Sequence, residues 1–560
     1  MPTYYIKGGT SKVSLTDRDF VAKGGEKSVF AKGGTAYCVY HDPSAAIPAG
    51  KIRELADVNH PGVVVPTAEL LDAKKRHCGE VMKFADDSYA PKSPDVKPLV
   101  LCQLFTNAFR RKQGVDVSDV VSVTDSIIDV VRHCHSKQVV LVDPNETNWL
   151  VKHDLKSVYL IDTSCVQTKG YPGTAIKPAI RDYSSTSFTA ESDWYSIAVV
   201  LGWLWTGIHP YLAFHPKWKH MDANAAMVPR MKEHWSFFRD GTEFNRACRP
   251  IAQMPATLRS WMEAVLDQGK RLPAPDHCGA PLAVVAVTPV TPSQSMAVQL
   301  NELIAFRSDV CAVYGDFTTT NEQYGDAAIV FTPRGNVPIA VRTKNGRLHL
   351  ADTRTGKDLP ITCEAKRVLE VDGRAYSVGA SSVAEVRFNE VNGEIRATVW
   401  KVGSIADLPT TRTFTGCVIQ NLLGKYLLST FPEAGECVQY QLPELEGWQI
   451  LDAQYQRGVF VVSAEQSGKY QMRMYRFKGA STDSTVISDQ IGDVNFAVTD
   501  RGIVAIMEPN GTLRVCSNRT GSDKIRQLQF PEPDMQLFAQ DNKIVGSLGK
   551  HVYDIVLTGG

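Results

Sequence analysis

The chain has 560 residues, enough for two or three domains that each bury a core of their own. Its 61 basic and 60 acidic residues leave a formal net charge of +1, which excludes a dominant electrostatic attraction to nucleic acid or anionic lipid. No apolar run approaches the roughly 20 residues a membrane helix needs, the opening MPTYYIKGGTSK lacks the apolar core of a signal peptide, and the twelve cysteines never form CxxC. These features predict a soluble protein of a reducing, cytoplasmic compartment, with neither a disulfide framework nor a zinc ribbon.

Over the first half, strand-like and helix-like patterns alternate. Gly24-Gly25, in VAKGGEKSVF (21–30), marks a turn that a simple hairpin would also use. SDVVSVTDSIIDVVRHCHS (118–136) places Val120, Val121, Ile127, Val130 and Val131 mostly on one helical face. His133, Cys134 and His135 are metal-ligating types, but no second ligand pair accompanies them, so they read as helix residues. In VVLVDPNETNWLVKHDLKSVYLIDT (139–163), Asp143 is followed five residues later by Asn148, and Asp162 closes a second apolar run. DWYSIAVVLGWLWTG (193–207) is apolar nearly all round, the pattern of a buried helix. RLPAPDHCGAPLAVVAVTPVTPSQSM (271–296) is rich in Pro, Ala, Val and Thr, and predicts a partly extended connection.

Beyond it the texture changes to short β-runs. Asn345-Gly346, Asp372-Gly373, Asn392-Gly393, Ser467-Gly468 and Asn510-Gly511 are hairpin signals. IAVRTKNGRLHLADTRTG (339–356) matches VAIMEPNGTLRVCSNRTG (504–521) in frame, 165 residues later. Similar segments fall near 361–405, 411–444 and 448–480, so the repeat is about 41 residues, the period of a four-stranded propeller blade. With QLFAQDNKIVGSLGKHVYDIVL the count is about six blades, five or seven being the neighbouring counts; two β-sandwiches with accidentally similar turns are the alternative. Asp352, Glu394 and Asp541 read as turn and surface residues rather than as a propeller active site.

The first-half residues resemble the protein kinase superfamily, most closely divergent bacterial and phage kinase-like proteins, over about residues 18–273. The resemblance implies an α+β bilobal kinase-like domain at 1–275 (N-lobe about 18–84, C-lobe about 85–275). With the Pro-rich linker, 276–300, and the all-β propeller, 301–560, read from composition and repeat, the chain is multidomain. The resemblance also implies ATP and Mg²⁺ as cofactors. Asp143 takes the place of the catalytic base, while Asn148 and Asp162 take the places of the metal-holding residues. Gly24 and Gly25 fall in the glycine-rich loop, and Met82 to Phe84 in the hinge that meets adenine. Asp193 matches the buried Asp that braces the catalytic loop, although a helix N-cap would look the same. Arg271 matches a structural arginine.

The departures concern cations. Cys38 stands where the third-strand lysine belongs, and Lys51 where the helix glutamate that pairs with it belongs. Leu141-Val142 replaces His-Arg, Asn145 replaces the lysine that steadies the γ-phosphate, Thr163-Ser164 replaces Phe-Gly, and KPAIRDYSS (177–185) has no Ala-Pro-Glu. A relocated cation from Lys51, Lys32 or Lys27 is geometrically open, against the commoner reading that these are solvated lysines. Two functions follow: nucleotide binding with weak or lost phosphotransfer, beside a propeller that docks a protein partner, or an active Mg-ATP-dependent kinase with a relocated lysine. A non-catalytic scaffold in a homo-oligomer or a large assembly, such as a phage particle, is a third.

Overall fold

The computed structural model describes residues 3–9, 12–92, 97–244, 248–279, 298–391, 394–405, 410–466, 469–478, 481–488, 495–499, 501–508, 511–517, 524–532, 534–540 and 542–557. The chain divides into two compact units, Met1–Thr291 and, in the main, Pro292–Gly560. The first is mixed α+β, the second all-β.

The first unit opens with seven strands, β1 (Thr3–Ile6), β2 (Lys12–Ser14), β3 (Phe20–Lys23), β4 (Lys27–Lys32), β5 (Thr35–Tyr40), β6 (Pro66–Leu71) and β7 (His77–Lys83). They form one antiparallel sheet in the order β2-β1-β6-β7-β5-β4-β3. Register pairs Lys27 with Tyr40, Val29 with Cys38 and Cys38 with Glu80, so these five side chains share one face. The other face carries Tyr37 and Val81, which pack with Leu15, Leu70 and Cys78. Helix α1 (Ala49–Ala56) connects β5 to β6 and buries Ile52, Leu55 and Lys51.

Among the described residues five further α-helices follow: α2 (Asn107–Gln113), α3 (Val117–Ser136), α4 (Ala190–Thr206), α5 (Ala223–Lys232) and α6 (Ala256–Leu266). Between α3 and α4 runs the short hairpin of β8 (Trp149–Val151) and β9 (Val158–Leu160). Helix α3 starts where Asp116 caps it reciprocally with Asp119, and buries Val120, Ile127, Val130 and Val131. Val121 lies at the edge of that stripe, half-buried. Helix α4 is buried continuously from Ser192 to Thr206 and ends at Gly207, whose φ of +81° no β-branched residue would adopt readily. Its cap is Thr189, so Asp193 sits inside the first turn and is not the N-cap.

The expected linker begins as part of the first unit. Cys278 is buried, its N–H donates to Asp125 Oδ1 on α3 at 2.7 Å, and Arg132 of α3 donates to the Ala274 carbonyl. The rest of that stretch, 280–297, lies outside the described residues, and Val298 already belongs to a strand.

In the second unit five antiparallel four-stranded sheets follow one another in chain order, at 328–359, 367–404, 412–441, 449–488 and 496–529. Their first residues are about 42 residues apart on average. The two repeat copies occupy the same place, strands two and three of their sheets. Asn345-Gly346 and Asp372-Gly373 both turn with positive φ, as a two-residue hairpin requires. Asn392-Gly393, Ser467-Gly468 and Asn510 lie outside the described residues. A two-stranded hairpin, Val310–Tyr314 with Phe317–Thr320, precedes the series. In the last sheet the strands at 536–540, 543–548 and 551–557 are joined by Val298–Ala305, which pairs with His551–Leu557.

Apolar clusters join each sheet to the next. Tyr376 and Leu369 meet Val418 and Phe431, Ile419 and Leu428 meet Phe460 and Tyr475, and Val461 and Met474 meet Val504 and Ile506. The core of this unit therefore lies between consecutive sheets, stacked face on face.

Candidate functional site

The stretch from Leu141 to Asn148 is a loop held in an unfavourable shape. Val142 is β-branched yet has φ of +68°, a conformation that persists only when its surroundings impose it. Asp193 imposes it, accepting the N–H groups of Leu141 at 2.6 Å and Val142 at 2.9 Å. His135 holds the same carboxylate at 2.9 Å, so the His133–His135 cluster contributes a brace. Burial pushes the Asp193 carboxyl up, and His135 with the two N–H groups works against that.

Asp143 follows at the turn. Its Oδ1 accepts the Lys177 N–H at 3.0 Å and its Oδ2 the Asn145 amide at 2.9 Å. Burial raises its pKa, opposed by these two donors. Asn148 donates Nδ2 to the Asp143 carbonyl at 2.9 Å, and its own carbonyl accepts from Ile161 at 2.8 Å. That bond seats Asp162 beside the loop. Asp143, Asn148 and Asp162 are therefore brought together by backbone geometry.

Asp162 meets a cation from the sheet. Lys27 Nζ is 3.2 Å from Asp162 Oδ1 and 2.8 Å from Glu80 Oε1. The lysine side chain is 15 % exposed, while Asp162 keeps 48 % and opens to solvent. Lys27 holds the Asp162 carboxyl below the usual carboxylate range. Burial works to lower the Lys27 pKa, but Asp162 and Glu80 outweigh it and hold the ammonium well above the ordinary lysine value. Cys38 lies on the same face, its thiol pushed up to about 12 by burial, so it stays protonated and uncharged.

Of the three lysines weighed from sequence, Lys27 reaches Asp162. Lys32 bonds to the Ser14 carbonyl at 2.8 Å. Lys51 is buried on α1 and donates to the Ser164 carbonyl at 2.6 Å. Positions 38 and 51 form no such pair with each other; an ion pair does join two strands here, Lys27 on β4 with Glu80 on β7. Helix α1 is tied to the residues after Asp162, through Lys51 and through Glu54, which accepts the Gly170 N–H at 3.0 Å. Gly50 leaves room for the Tyr171 hydroxyl, which would lie 1.9 Å from a Cβ.

Other expected residues have local partners. Gly24 donates its amide to Lys27 O at 2.9 Å within the β3–β4 hairpin, while Gly25 accepts from His41 through its carbonyl. Met82 lies at the end of β7 opposite Ala36. The Phe84 N–H, expected to face a ligand, is spent on Gly34 O at 3.0 Å. Arg271 forms two 2.6 Å bonds to Asp182, so KPAIRD supplies an acidic partner without an Ala-Pro-Glu pattern. Glu80, Glu54, Lys177 and Asp182 were not singled out from sequence. Glu80 alone left a signal, a carboxylate within the otherwise apolar GEVM run.

Among the described residues no three His, Cys, Asp or Glu side chains converge to hold a metal by themselves. One carboxylate (Asp162) and one amide oxygen (Asn148) suit a hard cation that keeps water and completes its shell with phosphate, as Mg²⁺ does. Lys27 lies beside Asp162, and the Asp143 carboxylate keeps lone pairs beyond its two donors to accept a hydrogen bond. Compared with models of known protein families, the chain matches none, and no curated protein matches it. Among the described residues no helix is long and apolar enough to cross a membrane.

Proposed function

We propose that the first unit is a protein-kinase-like module that binds Mg-ATP and transfers its terminal phosphate, with Lys27 in the role of the missing third-strand lysine. The observation that carries this reading is the Lys27 ammonium, 2.8 Å from Glu80 and 3.2 Å from Asp162. Strands β4 and β5 are paired neighbours, so a lysine on β4 reaches the space that a lysine at Cys38 would fill. Mg²⁺ on Asp162 and Asn148 would neutralise charge on the phosphates. Lys27 would bind the inner phosphates, with Glu80 keeping its ammonium aimed. Asp143 would accept the hydrogen bond of an acceptor hydroxyl and orient its oxygen.

We read the second unit as a β-propeller whose blades are the successive sheets, serving as a docking platform for a protein partner. Face-on-face stacking in chain order favours this, as does the pairing of the unit's first strand with its last, a way to join the ends of a ring. A second reading of the first unit, nucleotide binding without transfer, is favoured by Asn145 at the position of the loop lysine.

Thermal shift with Mg-ATP and incorporation of labelled phosphate, on wild type, Asp162→Ala and Lys27→Met, test these readings. Wild type is expected to be stabilised and to incorporate phosphate into itself or a partner, and Asp162→Ala to do neither. Lys27→Met is expected to weaken binding and to slow transfer about a hundredfold or more. Stabilisation without incorporation, under any Mg²⁺ or Mn²⁺ condition, selects the second reading. Absence of both sinks the two together.

A further inference from the structure

The loop that carries Asp143 is held from two sides, and on one side a single residue makes both contacts. Lys177 donates its main-chain N–H to Asp143 Oδ1 at 3.0 Å, and its ammonium pairs with Glu146, three residues further along the loop. The pair is nearly dry, with Glu146 fully buried and the Lys177 side chain 9 % exposed. The chain beyond Lys177 is fastened in turn. The buried His209 ring meets the Ala179 carbonyl at 2.8 Å, Ser196 Oγ of α4 donates to the Ile180 carbonyl at 2.8 Å, and Arg271 grips Asp182. Asn145 cannot replace this cation. Its Oδ1 accepts the Thr147 N–H and hydroxyl, and its Nδ2 is committed to Asp143.

We propose that Lys177 is a positioning residue for the transfer reaction: its ammonium, seated on Glu146, fixes the main-chain N–H that aims the Asp143 carboxylate. This rests on the phosphotransfer reading above. The χ2 torsion of an aspartate is broad and soft, so a carboxylate held by one donor turns. Two donors, one on each oxygen, fix its plane and leave the remaining lone pairs for an acceptor hydroxyl. The positive charge that Asn145 does not supply within the loop is thus brought from a different segment, to aim Asp143 rather than to steady phosphate.

The test compares wild type with the double variant Lys177→Met/Glu146→Leu, which removes both charges together and strands neither in the interior. Transfer kinetics and Mg-ATP thermal shift are measured on the same full-length samples. The double variant is expected to keep the wild-type shift and KM for ATP while kcat falls about a hundredfold, the cost of a misaimed group. A kcat within about threefold of wild type overturns the assignment. So does a parallel loss of kcat and of the Mg-ATP shift, which would make the pair a structural support alone. A wild type that transfers no phosphate defeats the phosphotransfer reading itself, and the assignment with it.

Discussion

Lys27 and Cys38 are diagonal neighbours on adjacent strands, and Cys38 stands directly opposite Glu80 in the ladder. A lysine placed at 38 would therefore find the same glutamate beside it. Lys27→Ala is expected to reduce the Mg-ATP thermal shift, and Lys27→Ala with Cys38→Lys to restore a measurable part of the loss. A double variant no better than the single one would mean that Lys27 acts as a structural ion pair only. His209 gives a second prediction. Its ring is fully buried, and burial holds its pKa at about 4 against an ordinary 6.5. Between those values the unfolded chain binds a proton that the folded chain refuses, so stability is full above pH 6.5 and falls as the pH drops towards 4. Urea unfolding should show a loss of about 3 kcal/mol over that window, and His209→Gln should flatten it. The sequence shows Lys27 as one lysine among several, because reach depends on strand register, which spacing does not reveal. Asp143 and Asn148 are legible as neighbours because they share one loop, and Asp162 because the short β8–β9 hairpin returns the chain to that loop.

Strand β7 places Glu80, and Gly79 lets it do so. A Cβ at Gly79 would stand 2.0 Å from the Cys38 carbonyl oxygen, a backbone atom of the paired strand with no freedom to move aside. Gly79→Ala should therefore force β5 and β7 apart, at a cost of about 2–3 kcal/mol, although alanine is the better residue for an ordinary strand. Thermal melting reads that cost, and the Mg-ATP shift should fall further than stability alone requires, because Glu80 and Cys38 are moved with it. An unchanged melt would mean that the ladder has more play than its register indicates. Helix α3 is legible in the sequence because its apolar residues recur on one face, and α4 because it is apolar nearly all round. The tie of α1 to the residues after Asp162 is not. It needs Gly50, Lys51 and Glu54 to meet Tyr171, Ser164 and Gly170 across more than a hundred residues, and such a meeting leaves no local pattern. The hairpins of the second unit are legible for the opposite reason, since Asn-Gly and Asp-Gly encode their own positive φ angles.

At the scale of the whole chain, the second unit depends on a pairing that spans all of it. Val298–Ala305 is hydrogen-bonded to His551–Leu557, and Val298 and Leu300 share a core with Tyr553, Ile555, Leu537 and Met535. Ending the chain at Lys550 removes the partner strand and three buried side chains, Val552, Tyr553 and Ile555. At about 2 kcal/mol for each buried apolar side chain, the loss is about 6 kcal/mol before the ladder is counted. That is comparable to the entire stability of a typical domain, about 5–15 kcal/mol. The strand at 543–548 would also become an open edge, a site for aggregation, and 298–305 would lose its place in the sheet. Calorimetry of the truncated chain should therefore show the second unit's transition lost or moved far down in temperature. The Mg-ATP response of the first unit should persist, because the strands and loop that carry Lys27, Asp143 and Asp162 belong to that unit. Retention of the full melting profile would show that the 298–305 pairing is dispensable, and would remove the main support for a closed ring of sheets. Loss of the Mg-ATP response together with the second unit would show that the response needs the β-rich half, and would count against reading that half as a separate docking platform.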